Sequence, residues 1–78
     1  MLTESLTIDV LVFKTNLQTD FDIQQVAPLL DNLPGVLKWN VDRLDIDNVL
    51  RIETCDLCAT EVIQRLSQTG IFCEELPD

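Results

Sequence analysis

Leu33-Pro34-Gly35-Val36-Leu37-Lys38-Trp39-Asn40-Val41-Asp42 is the stretch that decides the fold. Upstream of it Ile23, Val26, Leu30 and Leu33 recur at helical spacing, with Ala27 and Leu29 beside them. Pro34-Gly35 ends that pattern, because Pro cannot continue a helix and Gly takes the backbone where a Cβ hinders it. Downstream the period becomes two: Trp39 and Val41 point one way, Lys38, Asn40 and Asp42 the other. A helix must therefore turn back along a strand at this corner.

Working outward, Leu6 to Thr15 reads as a strand, with Ile8, Val10 and Val12 on one face and Leu11 and Phe13 on the other. A strand apolar on both faces is expected at the centre of its sheet. Asn16 to Asp20 is a polar loop, and Thr19, Asp20 and Asp22 are all candidate N-caps of the first helix. Pro28 inside that helix removes a backbone donor and is expected to kink it or shorten its regular part. The second strand is expected over 37–43, a hairpin over 44–48 and a third strand over 49–54, where Leu50 and Ile52 alternate with Arg51 and Glu53. A second helix follows over 59–69 with Val62, Ile63 and Leu66 inward, capped by Asp56 or Cys58. Gly70 is its left-handed stop. The last strand is expected over 71–76.

The order strand, helix, strand, strand, helix, strand, with two right-handed βαβ halves, specifies an α+β ferredoxin-like βαββαβ sandwich. That is a four-stranded antiparallel sheet with both helices on one face. With 78 residues the chain is one domain, its core spanning about 6–76.

Fourteen acidic residues against five basic ones leave a net charge of −9, which disfavours nucleic acid and anionic membrane surfaces. Val10-Leu11-Val12-Phe13 is too short to span a bilayer. An odd number of Cys argues against a disulfide framework, and the expected location is the cytoplasm with reduced thiols. Without His, a Ser nucleophile beside a base or a glycine-rich phosphate loop, the sequence offers no catalytic set, and no enzyme is expected.

The corner Leu33-Pro34-Gly35-Val36, the strand Trp39-Asn40-Val41-Asp42 and Gly70-Ile71-Phe72-Cys73 together resemble the heavy-metal-associated (HMA) domain of copper chaperones and metal-transporting ATPases, over residues 8–76. The resemblance implies a Met-x-Cys-x-x-Cys metal loop between the first strand and helix. Counted back from Leu33, its thiol positions fall on Thr19 and Asp22, and its Met position on Leu17. Neither a hydroxyl nor a carboxylate is a soft ligand, so the usual site is expected to be missing. What remains is a small binding or protein-interaction module.

Three further features are candidates. Cys55-Asp56-Leu57-Cys58 is a displaced Cys-x-x-Cys at the end of the sheet opposite the usual loop. Cys55 and Cys58 could chelate Cu(I) or supply half of a Zn site, or work as a redox pair. The alternative makes Cys58 a helix cap and Cys55 a small strand-end residue. The open sheet face, with Val10 or Leu11 and with Phe72, is the expected contact surface for another protein or for a second copy in a homodimer. Asp42, Asp45 and Asp47 do not match an EF-hand and are expected at a solvated hairpin tip. Cys73 and Trp39 are expected in the core.

Overall fold

The computed structural model describes residues 8–76. Its elements are β1 (Asp9–Thr15), α1 (Asp20–Asn32), β2 (Val36–Asp42), β3 (Val49–Thr54), α2 (Ala59–Ser67) and β4 (Cys73–Glu75). The strands form one antiparallel sheet in the order β2-β3-β1-β4. This is the ferredoxin-like arrangement, with β1 central as its two-sided apolar pattern requires.

One face of the sheet makes the core. Phe13 pairs with Leu50 and Leu11 with Ile52 across β1 and β3, while Trp39 and Val41 continue the row on β2. Val26 and Leu30 of α1, and Val62 and Leu66 of α2, close over that row and are fully buried. Both helices thus lie on the same face. Leu17, in the β1–α1 connection, is also fully buried.

The Pro34-Gly35 corner turns as expected. Gly35 has φ +97 and its carbonyl accepts the Cys55 N–H at 2.8 Å, which ties the start of β2 to the end of β3. Strand β2 starts at Val36 and ends at Asp42, one residue earlier than expected at each end, with a bulge between Val36 and Lys38. Gly70 has φ +83, and the Ile71 N–H reaches back to the Leu66 carbonyl to close α2.

Several expectations need correction. Pro28 does not shorten helix α1, which runs from Asp20 to Asn32. Pro28 and Gln24 both lie on its exposed side, so water can serve the Gln24 carbonyl that Pro28 leaves without a donor. Helix α2 ends at Ser67, two residues earlier than the pattern suggested. The last strand is only three residues long, because the Asn16 side chain, through Oδ1, takes the Phe72 N–H that a longer ladder would have paired. Leu11 does not belong to the open face. It stands opposite Ile52 and packs against the core, since alternation along β1 puts it on the same side as Phe13. The expected strand start at Leu6 and Thr7 lies outside the described residues.

Candidate functional site

Three places could carry chemistry or contacts, and the topology separates them. The first is the β1–α1 connection. Thr19 is the N-cap of α1, and its hydroxyl oxygen accepts the Asp22 N–H at 3.1 Å. The Asp22 carboxylate, through Oδ2, accepts the N–H of Thr19 at 3.2 Å and of Gln18 at 3.1 Å. The two residues thus form a reciprocal capping box, with acid in the first turn where the helix macrodipole favours it. Of the three cap candidates, the structure selects Thr19. A hydroxyl and a carboxylate already committed to backbone donors are a poor donor set for Cu(I), which prefers thiolates.

The second place is the turn Cys55-Asp56-Leu57-Cys58, at the other end of the sheet. Asp56 takes a left-handed φ of +59, and Leu57 is buried beneath the turn against the Gly35 corner. Cys55 is half-buried, Cys58 is exposed, and both are free thiols. Cys58 holds the N-cap position of α2 but makes no side-chain cap bond, so its sulfur is not tied to the helix. Cys73 is not a third partner. It pairs with Thr15 at the far end of β1, whereas Cys55 follows Thr54, the partner of Asp9. Six residues of strand put the two ends about 20 Å apart. Burial pushes the Cys73 thiol up to about 12, so it behaves as a small neutral core group. Among the described residues no group of three or more Cys, Asp, Glu or His is placed to hold a metal ion.

The third place is the open sheet face. Val10 and Phe72 are about half exposed on it. Lys14, Lys38 and Arg51, three of the chain's five basic residues, are also exposed there, among Glu53, Glu74 and Asp42. The face is therefore close to neutral on a chain of net charge −9. A shallow depression of about 230 Å³ lies on it between Val10, Lys38, Asn40, Arg51 and Glu53, with Trp39 at its edge. Trp39 itself packs against the core, and its indole N–H donates to Asp31 Oδ1 at 2.9 Å, so it is not free to stack on a ligand.

Sequence reasoning missed Leu44 and Ile46, which are 100% and 93% exposed at the β2–β3 hairpin tip. Their signal was present as two large aliphatics alternating with Asp in a turn. No helix among the described residues is long and apolar enough to cross a membrane.

No protein-family model matches the sequence, and none of the curated proteins does. Solved structures do. The copper(I)-loaded first domain of the human copper chaperone for SOD1 superposes with a TM-score of 0.74 at 23% identity, over 88% of this chain and 93% of that one. The apo HMA domain of a copper chaperone for superoxide dismutase gives a TM-score of 0.76 at 22% identity, over 99% of this chain and 79% of that one. The chain has the fold of a heavy-metal-associated domain.

Proposed function

We propose that this chain is a non-enzymatic protein-interaction module on an HMA-like scaffold whose loop metal site has given way to a helix cap. The Thr19–Asp22 capping box carries the reading, because it occupies the two positions where the resemblance calls for thiols. Contact is then made through the uncovered sheet face, by Val10 and Phe72 with Lys14, Lys38 and Arg51 around them. A near-neutral face is where two strongly acidic copies repel least. A two-fold pairing of such faces sets the basic residues of one copy against Glu53 and Glu74 of the other.

The size of the face limits the strength of that contact. Strands of seven, seven, six and three residues cover roughly 360 Å² in projection, against about 800 Å² per partner in a stable interface. Self-association is therefore expected to be weak, reaching a dimer only near millimolar concentration. Sedimentation velocity across a concentration series checks this. The expected result is a concentration-dependent dimer that Val10→Glu/Phe72→Glu abolishes. A wild-type chain that stays monomeric up to millimolar concentration removes the homodimer.

A second reading is favoured by the exposure of Cys58 and the partial exposure of Cys55 on one turn. Two accessible thiols there would take up Cu(I), the ion carried by the copper(I)-loaded structural neighbour. Reduced protein titrated with Cu(I) against a competing chelator should then bind one equivalent, and Cys55→Ser/Cys58→Ser should lose it. No competition by the wild type ends this reading.

A further inference from the structure

The hairpin joining β2 to β3 exposes two large aliphatic side chains completely, yet its backbone is firmly held. The Leu44 N–H donates to Asp42 Oδ1 at 3.1 Å, and the Asp47 N–H to Asp45 Oδ1 at 2.9 Å. Thr15 grips the far side of the turn: its N–H donates to the Asp47 carbonyl at 3.0 Å and its hydroxyl to the Asn48 carbonyl at 2.6 Å. Arg43 bridges to Asp20 of α1 at 2.8 Å, which brings the hairpin beside the start of that helix, where Phe21 is 66% exposed. Leu44 and Ile46 are thus presented by a braced turn, and little backbone freedom remains to be lost when they are covered.

The charge around them is one-sided. Asp20, Asp22, Asp42, Asp45 and Asp47 gather at this end, and its two cations, Arg43 and Lys14, already face Asp20 and Asp47. We infer that the Leu44–Ile46 tip is a docking element for a protein partner whose contact surface is apolar and rimmed by Lys and Arg, such as the face of a cationic amphipathic helix. The aliphatic pair supplies the anchor and the acidic rim supplies orientation and association rate. Val10 lies at the opposite end of β1 from this surface, and only Lys14, paired with Asp47, is common to it and the sheet face.

The probe is a synthetic amphipathic helix of Leu and Lys, titrated into ¹⁵N-labelled protein and followed by amide chemical shifts. The expected shifts are confined to residues 20–22 and 43–48, and they weaken as salt is raised. Leu44→Ser/Ile46→Ser keeps every charge and removes only the anchors. It should leave the rest of the spectrum unchanged and weaken binding at least about tenfold. Val10→Ser, at the opposite end of β1 and without a change of charge, should bind as the wild type does, which separates this site from the sheet face. The inference is overturned by equal binding by the serine variant, equal binding of a Leu/Glu helix, absence of binding, or shifts centred on the sheet face. Shifts at 44 and 46 produced by raising the protein concentration alone would make the occupant a second copy instead, and would overturn it too.

Discussion

Phe13→Ala is expected to lower the midpoint of urea unfolding more steeply than any other truncation on β1. Phe13 is fully buried on the central strand, with Leu50 opposite on β3 and both helices closing over the same row. Truncating a buried Phe to Ala costs about 3–5 kcal/mol, part for the lost transfer and part for the cavity left behind. A domain of this length has roughly 4–12 kcal/mol to lose, so one side chain carries a large share. Equilibrium urea unfolding measures it. The same experiment on Val10→Ala and Leu11→Ala tests the face assignment residue by residue. Val10 is exposed and should change stability by under about 0.5 kcal/mol, while Leu11, partly buried against the core, should fall between Val10 and Phe13. A Phe13→Ala variant that loses less than about 1 kcal/mol would mean that β1 turns its other face to the helices.

The need for that comparison marks where sequence patterning stops being informative. On α1, β2 and β3, polar residues occupy the outward positions, so periodicity alone assigns the buried side. On β1 Val10, Leu11, Val12 and Phe13 are all apolar, and nothing local says which alternate faces the helices; the register against β3 decides it. The same holds for β4. Phe72 looks like a strand residue by type, but the side-chain amide oxygen of Asn16, 56 residues away in sequence, takes its N–H. A contact that distant leaves no local signature.

The candidate sites divide in the same way. Cys55 and Cys58 are legible as a pair because their spacing is local, and their place at the far end of the sheet follows from element order. Cys73 needed the strand register to be separated from them. Thr19 was one of three cap candidates, because Thr and Asp can both accept from a helix N-terminus. Only the reciprocal bonds with Asp22 distinguish it. Leu44 and Ile46 were hidden by their neighbours: a turn rich in Asp reads as solvated, and the side chains that brace a loop also mask the apolar ones it displays.

Gly35→Ala is expected to cost more than Gly70→Ala, and the difference isolates the packing of the corner that organises the fold. Both glycines have positive φ, +97 and +83, so any side chain at either position meets the left-handed penalty of about 1–2 kcal/mol. Around Gly70 nothing lies within 4 Å of where a Cβ would sit, and that penalty is the whole effect. At Gly35 the new Cβ would lie 2.9 Å from the Cys55 carbonyl oxygen and 3.1 Å from the Leu57 Cβ. Neither can swing aside. The Cys55 N–H is held by the Gly35 carbonyl, and Leu57 is buried under its own turn. Forcing such contacts apart adds about 1–3 kcal/mol, so Gly35→Ala should lose roughly 2–5 kcal/mol in total. Parallel urea denaturation of the two variants reads the difference directly. Relief of the clash would also displace the Cys55–Cys58 turn, so the reactivity of Cys55 toward a thiol reagent should rise in Gly35→Ala and stay unchanged in Gly70→Ala. Equal losses in the two variants would show that the corner and the cysteine turn do not pack together.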